Sequence, residues 1–105
     1  MAGRVAGANT AVYDLTKFGV TAFSEALRQE ALSSHVRVTA IEPGFVETEL
    51  QSHNTDDVQK GISSMMDKIG DVLQPEDIAE TILFAVSQPE RVGINEVLVR
   101  PLGQK

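Results

Sequence analysis

Read for the spacing of apolar and polar positions, the chain divides into a long helix, a short strand, a mixed stretch, a second helix and a last strand. From Thr10 to about Ser33 the residues Val12, Leu15, Phe18, Ala22, Phe23, Ala26 and Leu27 recur at helical spacing. Asn9 or Thr10 is the expected cap. On a wheel at about 100° per residue these apolar positions fill roughly 200°, about double a one-sided stripe. Such a helix wants partners on two sides, a sheet on one and, as one possibility, a second subunit on the other. Gly19 lies within it, where the missing side chain permits close approach of another backbone.

Ser33-Ser34-His35 breaks the helical pattern. Val36, Val38 and Ala40-Ile41 predict a strand that ends at Pro43-Gly44, apolar on both faces as in a covered parallel sheet. Residues 45–73 are mixed. Glu47 to Leu50 is expected to start a short helix, and Asn54-Thr55-Asp56-Asp57 reads as a cap before another from Val58 to Val72. There Ile62, Met65, Met66 and Ile69 fall at helical spacing. Gln74-Pro75-Glu76-Asp77 opens a helix with proline early and acids in the first turn, and Ile78, Ile82, Leu83 and Val86 give it an apolar face. It stops before Pro89. Ile94, Val97, Leu98 and Val99 form the last strand, closed by Pro101. A helix-separated pair of strands is expected to run parallel, joined by a right-handed crossover. No internal repeat stands out.

The composition narrows the function classes. A chain of 105 residues can be one small domain, and a hydrophobic share of 42% is ordinary for a globular protein. The formal net charge of −6 argues against nucleic-acid binding and against a polybasic membrane patch. With no cysteine there is neither a disulfide framework nor a thiolate metal site. His35 and His53 are isolated and read as surface residues, so no metal is expected. No apolar run is long enough to cross a bilayer and no signal-peptide pattern opens the chain, so a cytoplasmic protein is the default expectation.

The candidate chemistry sits at the start of the first helix, in Tyr13-Asp14-Leu15-Thr16-Lys17. A tyrosine and a lysine four residues apart share one helix face. An ammonium there favours the phenolate and lowers the tyrosine pKa toward neutrality, which suits a general acid/base. Taken alone, the pattern equally describes a pair on a helix surface. Three further segments accompany it in order: Ala2-Gly3-Arg4, then Lys17 to Glu30, then Val36 to Thr48 with Pro43-Gly44-Phe45-Val46-Glu47-Thr48 at its end. Together these closely resemble the short-chain dehydrogenase/reductase family of NAD(P)-dependent oxidoreductases, from about Ala2 to the C-terminus.

The resemblance implies an α/β fold, the C-terminal part of a Rossmann-like doubly wound parallel sheet. Residues 1–105 would then be a C-terminal fragment of a single NAD(P)-binding domain, with a substrate-loop insertion at about 45–73. Tyr13 would exchange a proton with the substrate oxygen while hydride passes to or from the nicotinamide. Lys17 would tune Tyr13 and hydrogen-bond the nicotinamide ribose. Pro43 and Gly44 would turn the backbone beside the nicotinamide ring, with the Val46 main chain and the Thr48 hydroxyl at its carboxamide. Phe45 and the stretch from Leu50 to Ile69 match the variable substrate loop. Met65 and Met66 are read as core of that stretch's own helix, with an adaptable apolar pocket as the alternative. Residues Ile94 to Pro101 resemble the last strand of members that use NADP(H) on small alcohols or ketones, so NADP is favoured over NAD. A homo-oligomer, dimer or tetramer, is implied, in which the long helix packs against its twin.

Other family features are not found in this sequence. Family members are more than twice as long, and their first half carries a glycine-rich turn for the cofactor pyrophosphate. The eight glycines here form neither G-x-x-x-G-x-G nor G-x-G-x-x-G. The family serine lies about a dozen residues before the tyrosine, a position that falls on Met1, and the relay asparagine is upstream as well. The chain thus reads as the C-terminal half of an enzyme, inactive when isolated. The competing reading is a truncated, non-catalytic fragment that acts only in self-association. A binding module unrelated to redox chemistry remains only if the motif match is accidental.

Overall fold

The computed structural model describes residues 3–48 and 55–105. Its elements are α1 (Ala11–Glu30), a 3-10 turn (Ala31–Ser34), β1 (Ala40–Pro43), α2 (Asp56–Ile69), α3 (Pro75–Val86) and β2 (Glu96–Val99). The two strands pair in parallel, in the register Ala40 with Glu96 through Pro43 with Val99. The architecture is therefore the α/β arrangement expected from the apolar pattern.

α1 follows its predicted span but its cap differs. Thr10 stands at the N-cap position, yet its hydroxyl donates to Asp14 Oδ2 at 2.6 Å rather than accepting from a helix N–H. Asn9 adopts φ 69°, a left-handed turn residue rather than a cap. At the far end the last turn tightens to 3-10, and His35 in a left-handed conformation (φ 55°) closes it. α2 starts at Asp56 and stops earlier than its apolar pattern, because Gly70 takes φ 84° and ends the helix. At the start of α3 the Gln74 N–H donates to Asp77 Oδ2 at 2.8 Å, satisfying one backbone donor with Pro75 just inside.

Both strands start later than the sequence reading, β1 at Ala40 rather than Val36 and β2 at Glu96 rather than Ile94. β1 does so because β2 supplies ladder partners only from Glu96. Upstream, side chains take the carbonyls instead. The Arg37 guanidinium donates to Gln88 O at 3.0 Å and Val92 O at 3.0 Å, and the Thr39 hydroxyl to Ile94 O at 2.6 Å. β1 also runs through Pro43. Ala40 and Gly44 donate to Asn95 O and Val99 O at 2.9 and 2.6 Å, so by the two-residue alternation the ring nitrogen of Pro43 points to the other edge. There a missing N–H breaks no ladder bond.

Glu47 and Thr48 are not helical, and the rest of the short helix expected from Glu47 to Leu50 lies outside the described residues. Leu73 N–H donates to Phe45 O at 3.0 Å and Glu47 N–H to Leu73 O at 2.8 Å, forming a parallel bridge between Val46 and Leu73. Leu50 and His53 lie outside the described residues.

Burial is uneven. α3 lies against β1, and its Ala85 is buried, as is Pro101 after β2. The flank of α1 is open, with Val12 76%, Leu15 73% and Phe23 66% exposed. Among the described residues no helix is long and apolar enough to cross a membrane.

Candidate functional site

The first turns of α1 put Tyr13 and Lys17 on one face. The Lys17 ammonium lies over the Tyr13 ring, 5.3 Å from its centroid, within cation–π range. This face looks across a cleft of about 330 Å³ to β1, whose Ile41 and Pro43 form the opposite wall. Three of the predicted site residues, Tyr13, Lys17 and Pro43, therefore share one cavity. It lies at the carboxyl end of a parallel strand, where open α/β sheets bind ligands.

The remaining predicted residues follow Pro43 along the chain, outside the lining of that cleft. Gly44 is held by its N–H to Val99 O at 2.6 Å. A side chain there would run into the Gln104 amide and come within 3.2 Å of both Arg100 Cγ and Pro101 Cδ. Gln104 in turn accepts the Phe45 N–H at 3.0 Å. Val46 is fixed by its bridge to Leu73, and Thr48 is exposed beyond it. The turn is thus built by the chain's own tail and by residues near Leu73. Leu50 lies outside the described residues. No group of three His, Cys, Asp or Glu side chains is arranged to hold a metal among the described residues.

Two functional supports escaped the sequence reading. Asp14 and Glu42 are the buried charged side chains among the described residues, and both grip the segment 3–10 that leads into Tyr13. Asp14 Oδ2 accepts the Gly7 N–H at 3.0 Å and the Thr10 hydroxyl at 2.6 Å. The Thr10 hydroxyl first and the Gly7 N–H second hold the Asp14 carboxyl below the ordinary carboxylate range, against the opposing push of burial. Glu42 receives the Arg4 guanidinium, which also donates to Glu96 Oε2 at 2.9 Å. The other Glu42 oxygen is buried without a hydrogen-bond partner among the described residues. A glutamate inside an otherwise apolar strand was the available signal, since a buried carboxylate needs a partner. For Asp14 the signal was Thr10 four residues earlier.

The family model for short chain dehydrogenases matches residues 1–59. An uncharacterised oxidoreductase of Staphylococcus saprophyticus is 37% identical over 107 residues, covering 99% of this chain and 42% of its own length. Among solved structures, the closed form of serine dehydrogenase complexed with NADP+ superposes with a TM-score of 0.84 at 32% identity, over 100% of this chain and 42% of that one. A small-chain dehydrogenase in complex with NADPH gives a TM-score of 0.78 at 26% identity, over 98% and 47%. The chain spans less than half the length of each of these proteins.

Proposed function

The chain belongs to the short-chain dehydrogenase family, and on that premise we propose that it carries the proton-transfer half of an NADP(H)-dependent oxidoreductase acting on a small alcohol or ketone. The observation that carries this reading is the Lys17 ammonium 5.3 Å from the Tyr13 ring centroid, in a cleft closed by the end of β1. The nicotinamide, when bound, supplies or accepts the hydride at the substrate carbon. Tyr13 gives a proton to the carbonyl oxygen in reduction and takes one from the hydroxyl in oxidation. Lys17 stabilises the phenolate that remains and donates to the nicotinamide ribose. A cleft of about 330 Å³ with a phenol and an ammonium converging on it fits that end of the cofactor.

Pro43 and Gly44, with the Val46 main chain and the Thr48 hydroxyl, border the nicotinamide in this reading, and Phe45 and Leu50 border the substrate. Residues 45–73 form the substrate-loop insertion of an NAD(P)-binding domain. NADP is preferred because the two solved structures of known cofactor content described above hold NADP+ and NADPH. The protein is cytoplasmic and homo-oligomeric, a dimer or tetramer.

A second reading concerns the 105-residue chain by itself, as a non-catalytic piece whose activity is self-association. The open flank at Val12, Leu15 and Phe23 favours it. The test is NADP(H)-dependent turnover of small alcohols and ketones by the whole protein, beside the same assay on the 105-residue chain. Turnover by the former, abolished by Tyr13→Phe with cofactor still bound, is expected. Robust turnover by the short chain removes the second reading, and unchanged turnover in the variant removes Tyr13 from the mechanism.

A further inference from the structure

Tyr13 also lines a second cleft. Its volume is about 490 Å³, and it is lined by Tyr13 together with Arg100, Lys105, Asp14, Gly7 and Val5. Arg100 is exposed, and its stem and backbone are placed by their neighbours. It joins the end of β2 to the buried Pro101, and its Cγ would lie 3.2 Å from a Cβ at Gly44. The tail beyond it is tied down twice, by Gln104 N–H to Pro101 O at 3.0 Å and by Phe45 N–H to Gln104 Oε1 at 3.0 Å. Arg100 therefore spans from the Gly44 turn to the Tyr13 cleft.

Its charge is open to a ligand. Among the described residues the ion pairs belong to Arg4 and Arg28, and Arg100 makes none. The carboxylate of Asp14 shares the lining, but the oxygen that forms hydrogen bonds is turned to Gly7 and Thr10. A guanidinium is the side chain best shaped to hold a carboxylate, through two parallel N–H donors.

We infer that Arg100 is the substrate's anion anchor: it holds a carboxylate on the molecule whose oxygen meets the Tyr13 hydroxyl, so the substrate class is a small hydroxy acid or oxo acid. This deepens, and rests on, the reading of Tyr13 as the proton-transfer group. Recognition by Arg100 acts on the far end of the substrate and leaves the redox step unchanged: the carbinol carbon would lose hydride to the oxidised nicotinamide, and the hydroxyl proton would go to the Tyr13 phenolate.

The test compares 2-hydroxybutyrate and 3-hydroxybutyrate with their methyl esters, using the whole protein and NADP+. The acids are expected to be oxidised in preference to the esters. Arg100→Met keeps a stem against Gly44 and is expected to cost the acids at least about tenfold more in kcat/KM than the esters, through KM. Arg100→Lys is expected to restore part of that loss. Calorimetric titration of the NADP+-loaded protein with the two acids is read alongside, in the Tyr13→Phe background. Affinity that depends on Arg100 there, even without turnover of any compound, upholds the anion anchor while removing Tyr13 chemistry. Equal losses for acid and ester, or acid binding indifferent to Arg100, overturn the anchor and leave the Tyr13 reading standing wherever turnover persists.

Discussion

The end of β1 and the start of α1 wall one cleft, yet the turn that follows β1 and the start of α1 are held in different ways. The turn is enclosed by backbone pairing and by the tail: Gly44 to Val99, Phe45 to Gln104, and Phe45 and Glu47 to Leu73. The tyrosine end is held by polar side chains, Arg4 on Glu42 and Asp14 on the Gly7–Thr10 loop, while the apolar flank of its helix is uncovered. Backbone pairing within the chain completes itself. A wide apolar stripe is completed only by another surface. The turn is therefore sensitive to volume, and the helix is sensitive to chemistry at one face and to a partner at another.

The largest effect belongs to the chemistry. In the whole protein Tyr13→Phe keeps the ring and removes the transferable proton, so kcat is expected to fall by about 10²- to 10⁴-fold with cofactor affinity little changed. Lys17→Ala is expected to lower kcat and weaken cofactor binding together. Steady-state kinetics beside fluorescence titration of NADPH separates the two, and parallel behaviour of both variants would erase the division of labour.

The open flank gives the next effect. The 105-residue chain is expected to self-associate at micromolar concentration, burying Phe18, Ala22 and Phe23. A charge in that surface, Phe23→Asp, should weaken association by about tenfold or more. Light scattering reads this directly. A compact, cooperatively melting monomer of the unsubstituted chain is the result that ends the idea.

Two glycines set the regions side by side. At Gly44 an added methyl displaces the Gln104 amide from Phe45 and presses on Arg100 and Pro101. Gly44→Ala is expected to cost about 1–3 kcal/mol. Gly19, inside α1, has nothing within 4 Å of an added Cβ. Gly19→Ala is expected to stabilise by about 0.5–1 kcal/mol through helix propensity. Thermal melts decide both, and a loss at Gly19 would place a partner's backbone against it.

The smallest effect is a pH dependence on α1. Arg28, then Gln29, hydrogen-bond the Glu25 carboxylate and bring its pKa from 4.5 down to about 2. A carboxyl with a folded pKa below its unfolded one adds stability above the unfolded value, and that stability is lost as pH falls toward the folded value. The melting temperature should therefore drop between about pH 4.5 and 2, and Glu25→Gln should flatten that part of the curve. Glu25 is well exposed, so screening keeps the effect small.

The sequence by itself determined what depends on short-range geometry. Helical spacing places Tyr13 and Lys17 one turn apart whatever the rest of the chain does, and apolar runs separated by helices settle two parallel strands. The stop of α2 was legible only in part, because Gly70 ends the helix before its apolar pattern does. The tertiary structure decided everything that joins distant positions. Arg4 meets Glu42 across 38 residues and Glu96 across 92, and Phe45 meets Gln104 across 59. The same holds for what lies upstream of β1, where the Arg37 and Thr39 side chains meet the Gln88, Val92 and Ile94 carbonyls across more than 50 residues. No local pattern encodes such pairings, because each is selected by which surfaces the packed helices bring within hydrogen-bond reach of one another.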